Sequence, residues 1–195
     1  KGVASGYAFM IASLLVSLFL VPFTLKYLTR PEYAIFAIAG DLLSWLGLAG
    51  LGVSAVFNSR GAQLMGSGDK EELNIVASTT FFTQLASAVI IILAGIVVTL
   101  KPELLFSKEA SAEHLQVVVA ILVTAFTISF IFQPLNSMLV ANKQIHIDNY
   151  LKFGLLAINT CLTVFFLTQG LKLLSLALSN FIGTVIISII TWIRV

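Results

Sequence analysis

The sequence predicts an all-α polytopic membrane protein, a bundle of six transmembrane helices, and three observations carry that expectation. Hydrophobic residues make up 58% of the 195 and charged residues only 10%, whereas soluble domains carry about 25% charged residues. The mean hydropathy is correspondingly high, +1.03. Six apolar runs of roughly 20 residues follow one another, and a helix of that length crosses a hydrocarbon core of about 30 Å. These runs are apolar on every side, as in "VIIILAGIVVTL" over 89–100. Strands of a membrane barrel would alternate polar and apolar residues instead.

The six spans are expected at 7–28, 33–57, 73–100, 115–140, 150–168 and 171–192. The first holds Pro22, which should kink it near its outer end, and closes on Lys26. Lys1 ahead of an apolar stretch imitates a secretory signal, but no small-residue cleavage site follows and "VPFTLKYL" prolongs the run, so a retained helix is expected. In "LTRPEY", Pro31 suits the start of the second helix and Tyr33 suits headgroup depth. The third helix should begin in water near Asp69 of "GSGDKEEL", where Asp69 and Glu72 have capping-box spacing. The connector "KPELLFSKEASAEH" is long enough for a short interfacial turn around 104–106. Gly170 in "TQGLK" leaves room for a tight turn only, which makes the fifth and sixth spans an antiparallel hairpin.

Several function classes fall away on composition. A net charge of +2, with no basic stripe, offers nucleic acid no footprint. The single cysteine, Cys161, lies in an apolar run and reads as a small buried hydrophobe. His114 and His146 fall in connectors, no HExxH or CxxC occurs, and no close carboxylate pair lies within a span, so neither an enzyme nor a metal or other cofactor is expected. Lys and Arg divide almost evenly between the two sides: Lys1, Arg60, Lys70, Lys143, Lys152 and Arg194 face five on the other. That slight excess leans towards cytoplasmic termini.

Polar groups inside the spans are the functional candidates, because an aspartate at mid-helix costs about 2.5–3.5 kcal/mol to insert. Asp41 reads as the one acidic residue within a span, about 12 Å along the axis from Tyr33. Ala37, Gly40, Ser44, Gly47 and Ser54 form a stripe of small residues beside it for close helix packing. Asp41 either hydrogen-bonds a neighbouring helix or faces a wet cavity, and the cost of an unpaired carboxylate favours the cavity. Lys26 either snorkels to the membrane surface or contributes to binding. Arg60, read in the connector after the second span, has a guanidinium able to clamp a phosphate. Gln133 and Asn136 share a face of the fourth helix on either side of Pro134. These two and Gln84 suit interhelical hydrogen bonds or contacts to a polar cargo.

The stretch 21–79, in which Pro22, Lys26, Tyr33, Arg60, Gly68, Asp69 and Glu72 occur in order, resembles the N-terminal helices of the polysaccharide-export flippases, the Wzx-type O-antigen transporters of the MOP superfamily. The later stretch "LVANKQIHIDNYLKFGLLAINTCLTVFFLTQGL" is similar to the connector and hairpin that follow in those proteins. Two departures stand out: Thr29-Arg30 replaces a glycine after the first helix, and "LAGLG" lacks the acidic residue that often precedes the glycines late in the second. The resemblance implies one lobe of a two-lobed transporter in the bacterial inner membrane, and a chain that stops just after its sixth span reads as that N-terminal lobe, 1–195, with its C-terminal partner lobe missing. It further implies a central cavity that passes the diphosphate-sugar headgroup of a lipid-linked oligosaccharide between leaflets, its undecaprenyl tail remaining among membrane lipids, in the company of a polysaccharide polymerase machinery. Lys26 and Arg60 would then meet phosphates, and Gln84, Gln133 and Asn136 sugars. A cation-coupled exporter of small molecules, with Asp41 as its coupling group, is the alternative on the same fold, and a membrane scaffold without transport is a third.

Overall fold

The computed structural model describes residues 2–101, 115–142 and 145–194. Among these residues every regular element is a helix: α1 (Gly2–Thr24), α2 (Arg30–Ser67), α3 (Lys70–Leu100), α4 (Leu115–Ala141), α5 (Ile145–Thr168) and α6 (Lys172–Arg194). Five are long and apolar enough to cross a membrane one by one, and α2 makes the sixth when its two halves count as one span. The all-α polytopic bundle read from the sequence is therefore the fold observed. The turn expected at 104–106 and His114 lie outside the described residues.

The helix α2 departs most from expectation. It runs for 38 residues instead of stopping at Phe57, about 57 Å at the usual rise per residue. Such a length cannot stand straight in a bilayer, and the halves Arg30–Leu48 and Gly52–Ser67 meet at 50°, at the glycines that commonly permit a bend. Its start is fixed by a full capping box: the Thr29 Oγ1 accepts from the Glu32 backbone N–H at 3.4 Å, and Glu32 Oε2 accepts from the Thr29 N–H at 2.7 Å. Its second half looks like a connector because Asn58, Ser59, Arg60 and Gln63 are polar. Yet Phe57, Gly61 and Leu64 recur at spacings of four and three and are all buried, so the segment is an amphipathic continuation of the helix. Gly68 ends it in the left-handed region at φ 78°, its N–H donating to the Leu64 carbonyl at 3.0 Å.

Other boundaries shift for similar local reasons. Asp69 caps α3 as expected, its carboxylate accepting from the Glu72 N–H at 3.0 Å, but the Glu72 side chain turns to Arg60 and does not close a box. Pro22 has no N–H to give, and α1 ends two residues later, at Thr24, so Lys26 lies in the turn beyond the helix. Helix α5 begins at Ile145, earlier than read, and takes in Asp148 and Asn149. The α5–α6 hairpin forms as predicted: Gly170 adopts φ 81° and the Leu171 N–H donates to the Phe166 carbonyl at 3.2 Å, a Schellman ending.

Helix α4 is the hub, packed on α2, α3 and α6, while α5 joins the bundle through α6 and α1 rests on α5. The main apolar core gathers Ile35 and Leu43 of α2, Val118 and Leu122 of α4, Leu167 of α5 and Leu173 and Leu176 of α6. These residues sit near the start of α2, α4 and α6 and the end of α5, so one end of the bundle is dry. Close approach is set by single residues: a Cβ on Gly95 of α3 would overlap the Val123 side chain of α4. The outer surface is apolar, with Phe19 71% and Trp45 74% exposed, as suits hydrocarbon as the solvent. Cys161 belongs to that surface; it is exposed on α5, correcting the expectation of a buried thiol.

Candidate functional site

At the end opposite the dry core, α2, α4 and α5 line a half-open cavity of about 590 Å³, within the range of small-molecule sites. Its walls are unlike the rest of the bundle. The bent α2 contributes Ser44, Ser54 and Asn58; α4 contributes Ser129, Gln133, Asn136 and Ser137; and the first turns of α5 contribute Asp148 and Lys152. Gly47 lines the cavity, and Gly50 beside it lets Phe130 and Gln84 approach α2 closely because neither glycine has a side chain. A Cβ on Gly47 would stand 3.0 Å from Phe126, and one on Gly50 would stand 2.7 Å from Phe130 and 2.9 Å from Gln84. Of the stripe of small residues on α2, Ser44, Gly47 and Ser54 line the cavity, whereas Ala37 and Gly40 are exposed and Gly40 has nothing within 4 Å.

A smaller cavity of about 200 Å³ lies between α4, α5 and α6 and shares Ser129, Asn136, Asp148 and Lys152 with the first. These four residues form the partition between the two spaces. Asp148 is 6% exposed, and its Oδ2 accepts from Lys152 Nζ at 2.6 Å, one helical turn on. The lysine side chain is half exposed to the cavity. A buried carboxylate of this kind needs a cation beside it, and the i, i+4 spacing supplies one on the same helix face.

The amides are held from behind. Gln84 of α3 is 1% exposed; its Nε2 donates to Gln133 Oε1 at 2.8 Å and to the Phe130 carbonyl at 3.1 Å. These bonds fix Gln133 at the cavity wall. Gln84 Oε1, Ser54 Oγ and Asn58 Oδ1 are buried with no hydrogen-bond partner, each at a cost of about 1–3 kcal/mol. Two of the three belong to cavity-lining residues, so a polar guest or water entering there would complete them.

The residues singled out in the sequence separate into two groups. Gln133 and Asn136 line the cavity and Gln84 braces it from α3. Lys26, Asp41 and Arg60 lie apart from it. Lys26 is beyond the end of α1, on the far side of the bundle, at the rim of an apolar groove against α5. Arg60 is on the helix α2, not in a connector, and is engaged by Glu72 across the α2–α3 turn, with both side chains largely in solvent. Asp41 is exposed and outside the cavity lining; it sits on α2 between Ser44, which lines the cavity, and the exposed Ile38 and Trp45. The reading of Asp41 as the one acid within a span is corrected by Asp148, which is inside α5 and buried.

Sequence reading passed over Ser54, Asn58, Asp148 and Lys152 as parts of one site. The signal for the last two was present: "DNYLK" holds an acid and a base four apart, a helical pair once the helix is begun at Ile145. Ser54 and Asn58 are likewise four apart, Ser54 within the expected second span and Asn58 just past its expected end.

Among known proteins, the family model MatE matches residues 6–165. No curated protein and no solved structure gives a significant match. The match runs from the start of α1 to the end of α5 and covers every helix that lines the larger cavity. The chain accordingly belongs to the MatE family, membrane transporters of the MOP superfamily.

Proposed function

We propose that this chain is the N-terminal lobe of a transporter that carries the hydroxyl-rich headgroup of a lipid-linked oligosaccharide across a bacterial inner membrane, the cavity being one wall of its path. The observation that carries this reading is the lining: hydroxyls and amides from α2 and α4 gathered round one cavity, including buried oxygen atoms of Ser54 and Asn58 without partners. A sugar headgroup cannot enter hydrocarbon unaided, whereas a prenyl chain is already soluble there. A wall of this chemistry offers the sugar hydroxyls what water offered them. The Asp148–Lys152 pair gives the wall both signs of charge, so a phosphate of the cargo has an ammonium to approach. A C-terminal lobe would close the path from the other side.

A second reading, a cation-coupled exporter of small molecules, is supported by the buried Asp148. In this reading Asp148, not Asp41, is the coupling carboxylate, because it faces the cavity and Asp41 does not. Deleting the gene separates the two. The first reading expects loss of surface polysaccharide with lipid-linked units accumulating on the cytoplasmic leaflet; normal surface glycan with increased drug sensitivity would replace it with the second.

A further inference from the structure

Helices α1 and α5 run side by side in parallel and are zipped at their first turns, where Asn149 Nδ2 donates to Ser5 Oγ at 2.8 Å and the Phe9 and Phe153 rings meet edge to face at 5.4 Å. Further along they part. From Leu15 to the end of α1, about 14 Å of helix, a groove of about 590 Å³ opens between them. Its walls are Leu15, Phe19 and Phe23 on one side and Val164 on the other. Thr160 adds no free polar group, because its hydroxyl is spent on the Leu156 carbonyl at 2.7 Å. At the end of this apolar trough stands Lys26.

Lys26 is exposed, and the ion pairs among the described residues are Arg60–Glu72 and Lys152–Asp148, so no described carboxylate pairs with it. Arg30, four residues on, is also exposed and unpaired by any acid among the described residues. The nearest acid in sequence, Glu32, is committed to the Thr29 cap. Tyr27, 42% exposed, stands beside Lys26, a residue type that favours the headgroup level. An apolar trough ending in an ammonium that no described acid pairs with is the complement of a hydrocarbon chain ending in a phosphate.

We infer that the α1–α5 groove is a binding site for an anionic phospholipid, one acyl chain lying along Leu15–Phe23 and Val164 with the phosphate against Lys26. The site is at the opposite end of the bundle from the polar cavity and rests on no assumption about the cargo. It ties the edge helix α1 to α5 where direct packing between them is lost.

The test uses the purified, delipidated chain and native mass spectrometry, with phosphatidylglycerol and phosphatidylcholine as probes. Phosphatidylglycerol should be retained in preference. Lys26→Gln should lower its retention about fivefold, the effect of one basic residue near an anionic surface, and leave phosphatidylcholine unchanged. Val164→Trp should fill the groove and abolish the retained lipid. A preference that survives Lys26→Gln, or a lipid that survives Val164→Trp, overturns the inference. Because Val164→Trp can disturb folding, Phe19→Trp provides a second readout: brominated phosphatidylglycerol should quench its fluorescence more than brominated phosphatidylcholine. Equal quenching, or a disulfide-linked dimer formed readily by Phe19→Cys, would assign the groove to bulk lipid or to a second copy.

Discussion

Replacing Gln84 by methionine separates what this residue does for stability from what it does for the cavity. The substitution keeps an unbranched chain of similar length in the tight space beside Gly50 and Phe130, and thioether chains adapt well to such gaps. It removes two interhelical hydrogen bonds, to Gln133 and to the Phe130 carbonyl, worth about 0.6 kcal/mol each within a membrane. It also removes Gln84 Oε1, a buried acceptor with no partner, whose desolvation costs about 1–3 kcal/mol. The Phe130 carbonyl, whose helical donor would be the N–H that Pro134 lacks, is orphaned in its place at a similar cost, so the terms nearly cancel and the variant should stay within about 2 kcal/mol of the parent. Gln84→Ala should instead leave a void and destabilise by about 2 kcal/mol or more. Unfolding by SDS titration, followed by the fluorescence of Trp45 and Trp192, measures both. In transport, Gln84→Met should be impaired despite its stability, because Gln133 is released from its fixed position on the wall. A Gln84→Met protein destabilised by more than about 2 kcal/mol, or one that transports normally, would refute the reasoning.

Other substitutions probe the remaining contacts. Gly95→Ala presses a methyl group against Val123, whose β-branched chain has little rotamer freedom in a helix, and should cost about 1–3 kcal/mol in the same titration. Adding Val123→Ala should recover part of that loss, and a double-mutant cycle with coupling below about 0.5 kcal/mol would show that α3 and α4 are not in such close contact. Lys152→Ala leaves the buried Asp148 carboxylate without its donor and should cost about 1.5–3 kcal/mol, while Lys152→Arg should retain most of the stability. Arg60→Ala breaks an exposed pair and should change stability by less than about 1 kcal/mol with transport intact. Loss of transport from Arg60→Ala in a stable protein would move the cargo's phosphates to the α2–α3 turn.

How far the sequence reveals the fold depends on the kind of signal each element carries. Long apolar runs report a hydrocarbon environment directly, so α3, α4 and α6 fall within a few residues of their expected ranges. Local caps were partly legible: Asp69 and Gly170 stand where their types predicted, whereas the Thr29–Glu32 box was hidden behind Pro31. The second half of α2 and the first turn of α5 were missed because a transmembrane helix that lines a polar cavity must itself be polar on one face. Hydropathy then reads polar residues such as the cavity-lining Asn58 and Asp148, or the exposed Ser59, Arg60 and Gln63, as helix ends. The same logic explains Asp41 and Asp148. Position along an apolar run made Asp41 conspicuous, but burial is set by which neighbour covers a helix face: α4 and α6 pack on α5 around Asp148, whereas Asp41 lies on a face of α2 that stays exposed.

The central claim is that α2, α4 and α5 line a polar cavity open to water and to the proposed cargo. The most direct measurement is labelling of single cysteines by a membrane-impermeant cationic maleimide, after Cys161, itself exposed, has been replaced by alanine. Ser54→Cys and Asn136→Cys should react despite their depth in the bundle, and the proposed cargo, a diphosphate-linked sugar, should protect both. Ile90→Cys, exposed on the apolar face of α3, should stay unlabelled. Failure of Ser54→Cys and Asn136→Cys to react in a protein whose Lys70→Cys is labelled would contradict the account, because it would mean that the space between these helices is closed to water.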